Sequence, residues 1–215
     1  MPDFSLEQEF QRDLGGNPGA KVIGLDEAGR GPWAGPVVAA AVWLNPDTLP
    51  SPLRDGLDDS KKLSAKAREN LFEALLALSP EQAAIGRGEA AVEEIDALNI
   101  LQASLLAMQR AAAAISITAG AALVDGRQTP ALPCPARPVV KGDSRSLSIA
   151  AASIVAKVSR DRAMALLAAQ HPGYGWERNQ GYGTAEHRAG LDRLGVTAAH
   201  RRSFRPIRDA LASKP

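Results

Sequence analysis

Three short apolar runs in this chain stop at an aspartate or just short of one. Val22-Ile23-Gly24-Leu25 leads into Asp26-Glu27, Ala121-Ala122-Leu123-Val124 into Asp125-Gly126, and Val139-Val140 into Lys141-Gly142-Asp143. Runs of this length, rich in branched residues and bounded by glycine turns, read as buried strands. One such ending is an ordinary acidic turn, whereas three make a pattern. In open α/β sheets functional groups gather beyond the strand ends. Strands finishing on one side of such a sheet would bring Asp26, Asp125 and Asp143 together.

The first of these endings carries the most information. Glu27 follows Asp26 directly, and Ala28-Gly29-Arg30-Gly31-Pro32 comes next. Gly29 and Gly31 let the main chain take positive φ and let another molecule approach it closely. Side chains alternate across a strand, so Asp26 and Glu27 cannot both face one site from a regular strand. One of them has to sit past the strand end or contribute through its backbone carbonyl. The run Gly29 to Ala34 also fits the G-x-G-x-x-A pattern of dinucleotide-binding turns. That pattern must open a helix whose N-terminus holds the pyrophosphate. Here a proline intervenes and Val37–Leu44 reads as a second strand, so a dinucleotide site is excluded.

Along the rest of the chain, residues 1–19 form a short helix-like piece around Phe4 and Phe10. It loosens into a Gly15-Gly16-Asn17-Pro18-Gly19 linker. Residues 45–59 are a proline-rich loop. It is followed by Lys61-Lys62 and by Ser64 as the N-cap of a helix carrying Leu71, Leu75 and Leu78. Residues 83–89 are weak strand material interrupted by glycines. A longer helix from about Val92 to Ile115 shows Ile95, Leu98, Leu101, Leu105 and Met108 at core spacing, and its Ala111–Ala114 run suggests close approach to a neighbour. From Ser148 a further helix continues to about Ala169, with Lys157, Arg160 and Arg162 largely on its outer side. Residues 176–183 read as a loop with exposed aromatics, Tyr182 among them. Thr184 and Thr197 read as N-caps of two short terminal helices, the last one holding Arg201, Arg202, Arg205 and Arg208.

The chain of 215 residues carries 25 Lys and Arg against 24 Asp and Glu, a net charge of +1. The distribution is uneven. Residues 1–140 hold 12 basic and 18 acidic side chains, and residues 141–208 hold 12 and 5. Such asymmetry points to a polyanionic partner, or otherwise to a solvated basic face. No apolar run is long enough for a membrane span, and residues 1–12 lack the apolar core of a secretory signal. The single cysteine, Cys134, excludes an internal disulfide and fits a reducing compartment, with the cytoplasm as the expectation.

Asp26, Glu27, Asp125 and Asp143 at one site could not all stay ionised without cations, because like charges raise one another's pKa. An oxygen-only set suits Mg²⁺ or Mn²⁺ and not Zn²⁺. His171, His187 and His200 form no zinc pattern. Carboxylates beside a basic half point to phosphodiester hydrolysis by two ions about 3.5–4 Å apart. Each residue also has a plainer reading. Asp125-Gly126 can be a strand-ending turn, Asp143-Ser144 a cap pair, Tyr182 a packed aromatic, and Lys61 and Lys62 surface lysines rather than phosphate-binding groups.

The motifs resemble the bacterial ribonuclease HII family. The resemblance is carried by Gly24–Pro32, Asp59–Ser64, Leu98–Ala103, Val124–Gly126, Val140–Asp143, Ala151–Asp161, Gly181–Thr184 and His200–Phe204, in the family's order. It implies an α/β ribonuclease H-like fold, a five-stranded mixed sheet flanked by helices, with a short helical C-terminal extension. On that basis residues 20–183 form the catalytic domain and 184–215 a helical segment packed on it. The implied enzyme is an endonuclease that cuts the RNA strand of RNA–DNA hybrids. It also cuts 5′ to single ribonucleotides in duplex DNA, leaving a 3′-hydroxyl and a 5′-phosphate.

The family's four metal ligands fall on Asp26, Glu27, Asp125 and Asp143. Its Gly-Arg-Gly motif falls on Gly29, Arg30 and Gly31, whose backbone would contact the ribose 2′-hydroxyl, the group that separates RNA from DNA. Its tyrosine falls on Tyr182, which would stack on the sugar after the ribonucleotide. One departure is visible, Ala150 where the family usually has serine. A monomer is expected. The competing readings are a non-catalytic hybrid-binding module, which would tolerate neutralised carboxylates, and a metal-dependent DNase or resolvase of the same fold, which would cut all-DNA duplex.

Overall fold

Strands buried on both faces make the sheet. In the structure, a computed structural model describing residues 1–15 and 19–212, Val22–Ala28 forms strand β1 and Val37–Leu44 forms β2. They pair antiparallel, with Gly24 opposite Val42 and Ala28 opposite Val38. β3 (Ala83–Ala90) continues antiparallel along β2. On the other side of β1, β4 (Ala121–Asp125) and β5 (Ala136–Val139) add in parallel. The result is one five-stranded mixed sheet in the order β3-β2-β1-β4-β5.

The helices are α1 (Ser5–Asp13), α2 (Ser51–Gly56), α3 (Ala65–Leu76), α4 (Val92–Leu98), α5 (Ile100–Ala113), α6 (Leu147–Gln170), α7 (Trp176–Asn179), α8 (Ala185–Leu194) and α9 (Arg205–Ala212). Helix α6 covers one face, where its Ala150, Ala151, Ile154 and Val155 pack with Ala40, Val42, Leu44 and Phe72. Helix α5 covers the other, with Ala103, Ala107, Met108 and Ala111 against Ile23, Leu25, Val37, Ala39 and Ala41. Small residues on both sides let the helices come close. A methyl on Gly24 would overlap the backbone of Ser148 and Ile149 at the start of α6. Helices α7 to α9 close a third cluster of Ala34, Met164, Tyr174, Trp176, Leu191 and Ile207. No helix among the described residues is long and apolar enough to cross a membrane.

Several sequence expectations need correction. The helix expected over Val92–Ile115 breaks at Asn99, whose φ of 72° turns the chain and whose side chain caps α5 through the amides of Leu101 and Gln102. Leu98, expected in the core, is exposed there. Residues 83–90 are a full strand, because Gly86 and Gly88 are where the α5 backbone at Ala107 and Ala111 rides against it. The proline-rich loop contains α2. Ser64 and Thr184 cap α3 and α8 as expected, but Thr197 caps no helix and instead bonds His200. Only Arg205 and Arg208 of the four late arginines lie on α9. Trp176 is buried, not exposed. Within the expected linker, residues 16–18 lie outside the described residues.

The N-terminal helix docks. Phe10 packs with Val22, Leu123, Val139 and Ile149, and the buried Glu7 accepts hydrogen bonds from the Ser146 hydroxyl (2.7 Å) and the Ser148 amide (3.0 Å) at the start of α6.

Candidate active site

Two neighbouring strand ends build the centre of the site. β1 and β4 run parallel with Leu25 opposite Val124, and Asp26 and Asp125 are the next residues on each. Neither Asp26 nor Glu27 sits past the strand end. Both lie within β1, paired across from Ala40 and Ala39. The facing problem is resolved differently: the two carboxylates stand on opposite sides of the strand and meet two adjoining clefts. The first, about 290 Å³, is lined by Asp26, Glu27, Gly29, Arg30, Gly31, Lys61, Asp125, Lys157, Arg160 and Tyr182. The second, about 340 Å³, lies toward α5, where Glu27, Arg30 and Asp125 meet Leu101, Leu105, Met108 and Arg127.

Asp143 arrives by a different route from the one expected. β5 ends at Val139, Val140 is half-exposed, and Lys141 adopts φ 55° before a one-turn 3₁₀ helix at Gly142–Ser144. The aspartate therefore belongs to a tight turn beyond the strand. That turn is wired to its neighbours. The Gly142 amide donates to Asp125 Oδ1 (2.7 Å), the Gly142 carbonyl accepts from Ser146, and Ser146 donates to Glu7.

The electrostatics are those of an anionic cluster short of counter-charge. Burial, then Glu27 and Asp125 beside it, push the Asp26 carboxyl well above the usual range. Burial also raises Glu27, against the pull of Arg30, which donates to its Oε1 at 3.2 Å. Asp143 is raised by burial and by Asp125 and Asp59, against Lys61. The Lys61 ammonium lies 3.4 Å from Asp143 and 3.8 Å from Asp59. Burial opposes its charge, but Asp143, Asp59 and Asp26 outweigh that and raise its pKa. Among the described residues no three His, Cys, Asp or Glu side chains are gathered closely enough to enclose a metal ion. The donor chemistry, buried carboxylates that repel one another, is nevertheless that of a hard divalent cation site.

Of the other residues singled out from sequence, Tyr182 is half-exposed beside the Gly29–Gly31 turn. A methyl on Gly31 would stand 3.3 Å from its ring. Lys62 is not a lining residue of either cleft, and its ammonium is tied to Asp58 at 2.9 Å. Sequence reasoning passed over Ser153, Lys157 and Arg160, which line the first cleft from α6. Their spacing of four and three residues sets them on one helical stripe, and that was the available signal.

It also missed the pair of fully buried histidines behind Tyr182. His187 Nε2 and His200 Nε2 are 3.1 Å apart, and Trp176 Nε1 donates to His187 Nε2 at 3.1 Å. His187 Nδ1 meets the Tyr182 carbonyl (3.1 Å), while the Thr197 amide donates to His200 Nδ1 (3.0 Å). These contacts fit one arrangement only: His200 carries its proton on Nε2, His187 carries its own on Nδ1, and both rings are neutral. Burial pulls both pKa values down, His200 to about 3 with His187 contributing.

Comparison with known proteins gives one consistent picture. The family profile described as ribonuclease HII matches residues 23–207. A ribonuclease HII of Rhodospirillum rubrum is 58% identical over 212 residues, covering 99% of this chain and 93% of that protein. The solved ribonuclease H2 of Pyrococcus horikoshii superposes with a TM-score of 0.72 at 26% identity, covering 88% of this chain and 96% of that one. Bst ribonuclease HIII, solved in complex with Mn²⁺, shares the fold at a TM-score of 0.68 and 20% identity, over 90% of this chain and 70% of that one.

Proposed function

The chain belongs to the ribonuclease HII family and is an endoribonuclease acting on RNA–DNA hybrids; from that premise we propose that Asp26, Glu27, Asp125 and Asp143 carry the cleavage by holding two divalent ions, Mg²⁺ or Mn²⁺. The observation that carries this reading is the gathering of Asp26, Glu27 and Asp125 on one cleft, with Asp143 on the Gly142–Ser144 turn joined to it through Lys61, and with Asp26, Glu27 and Asp143 raised by burial and by neighbouring carboxylates. Bound there, the ions would activate water and stabilise the leaving oxygen.

The chain's own groups do the rest. Gly142 orients Asp125 through its amide. Lys61 balances Asp143, and Arg30 balances Glu27; both are cations in a position to meet a substrate phosphate. The Gly29-Arg30-Gly31 backbone reads the ribose 2′-hydroxyl, and Tyr182 stacks on the sugar that follows the ribonucleotide. Lys62 serves at most the rim. Substrates are long hybrids and duplex DNA with embedded ribonucleotides, cut 5′ to the ribose to leave a 3′-hydroxyl and a 5′-phosphate. We read residues 20–183 as the catalytic unit, with the later helices packed on it, working as a cytoplasmic monomer.

One cleavage panel tests this: all-DNA duplex, the same duplex with one ribonucleotide, and a long hybrid, each with and without Mg²⁺. Cutting confined to the ribose-containing substrates and dependent on the ion is expected. Asp26→Asn should abolish cutting while leaving the circular dichroism spectrum intact. Cleavage of the all-DNA duplex, or substantial activity in Asp26→Asn, would refute the assignment.

A further inference from the structure

Two arginines beneath the Gly29–Gly31 turn are buried with no carboxylate among the described residues bonded to them. Arg160 on α6 is 1% exposed and Arg201 is wholly buried. Among the described residues every side-chain hydrogen bond they make goes to a main-chain carbonyl. Arg160 donates to Pro36 (3.1 Å), Gln180 (3.1 Å) and Ala34 (3.2 Å). Arg201 donates to Gly35 (2.9 Å), Arg30 (3.0 Å), Gly29 (2.6 Å) and Pro36 (3.1 Å). Burial and the neighbouring Arg160 hold the Arg201 guanidinium down to about 9, which marks how unfavourable its surroundings are for a cation. Neutral donors could satisfy these carbonyls at less cost, since a buried charge without a counter-ion is expensive. The arrangement therefore calls for a reason beyond loop stability.

The geometry of the peptide unit supplies one. In a trans peptide the C=O and the following N–H point in opposite directions. Arg201 grips the carbonyls of Gly29 and Arg30 from inside the protein, so the amides of Arg30 and Gly31 are turned the other way, toward the cleft those residues line. Among the described residues neither amide donates to a protein carbonyl. The φ of 98° at Gly29 belongs to the same arrangement, and any side chain there would collide with Arg160. A guanidinium on the carbonyl side also polarises each peptide, strengthening its amide as a donor.

We propose that Arg201 is a positioning residue for ribonucleotide recognition: it sets the Arg30 and Gly31 amides as a paired donor for the ribose 2′-hydroxyl and adjoining phosphate. Arg160, bonded to Gln180 two residues before Tyr182, holds the tyrosine loop in the same frame. This rests on the reading of the Gly29–Gly31 turn given above.

The test is Arg201→Lys, which keeps the charge but cannot span four carbonyls from one ammonium. Two duplexes are compared in single-turnover cleavage, one with a ribonucleotide and one with a 2′-deoxy-2′-fluoro sugar at the same position. A displacement of about 1 Å at a positioning group costs about 10²-fold. The variant should lose about that much in kcat/KM on the ribonucleotide, with its Mg²⁺ half-saturation unchanged. It should lose far less on the fluoro sugar, so the preference between them shrinks. Equal losses on both substrates, or an undiminished preference in the folded variant, overturn the proposal. If Arg201→Lys does not fold, the wild type carries the test. With Ca²⁺ in place of Mg²⁺, the ¹⁵N–¹H resonances of Arg30 and Gly31 should shift more on adding the ribonucleotide duplex than on adding the all-DNA one. Unmoved amides overturn the proposal. A wild-type enzyme indifferent to the ribose would instead overturn the underlying reading of the turn.

Discussion

Replacing His200 with asparagine should remove about 2 kcal/mol of acid sensitivity between pH 8 and pH 5. His200 titrates near 6.5 when unfolded and near 3 in the folded protein. The unfolded chain therefore takes up a proton that the folded protein refuses. The histidine's contribution is fully present above about pH 6.5 and is lost as pH falls from there toward 3. At about 1.4 kcal/mol per unit, the one and a half units between 6.5 and pH 5 give about 2 kcal/mol. The structural cause is specific. An extra proton on His187 Nε2 would face the N–H groups of both His200 and Trp176, and one on His200 Nδ1 would face the Thr197 amide. Urea unfolding of wild type and His200→Asn at pH 8 and pH 5 measures the effect as a difference of differences. The substitution also costs packing at both pH values, which cancels in that comparison. If the two proteins lose the same stability on acidification, the neutral-pair argument is wrong.

Gly24→Ala should destabilise by about 1–3 kcal/mol, because its methyl overlaps the α6 backbone at Ser148 and Ile149 and one of the two must shift; an unchanged urea midpoint would contradict that packing. Glu7→Ala leaves the Ser146 hydroxyl and Ser148 amide unpaired in a buried place, a loss of about 1–3 kcal/mol, and thermal unfolding at equal Tm to wild type would show the docking of α1 to be ornamental. Tyr182→Ala should reduce cleavage of a single embedded ribonucleotide more than cleavage of a long hybrid, and equal losses on the two substrates would refute its proposed stacking on the sugar that follows the ribonucleotide.

What was legible in the sequence was local. The apolar runs before Asp26 and Asp125 became strands ending side by side, and Ser64 and Thr184 became caps, because hydrophobic period and capping chemistry act within a few residues. The break at Asn99 was hidden inside an unbroken apolar stripe, since a single left-handed residue changes the path without changing the pattern. The route to Asp143 was hidden for the same reason, at Lys141. Arg160 was expected largely on the outer side of its helix because charges usually stay in water, and Arg201 on the last helix. The carbonyls that satisfy them lie mostly more than 120 residues away in the chain, in a turn whose own shape depends on them. The histidine pair likewise exists only once α8 and the segment after it have folded against Trp176. Non-local satisfaction of buried polar groups leaves no period and no motif to read.

Asp26 and Glu27 look out from opposite flanks of a single strand, with α6 along one and α5 along the other. Both nonetheless line the first cleft, and Glu27, with Arg30 and Asp125, borders the second as well, so the two clefts share carboxylates. The two clefts are unlike. The first adds Lys61, Lys157 and Tyr182 to the carboxylates, and the second adds Leu101, Leu105 and Met108 beside Ser104, Arg127 and Gln128.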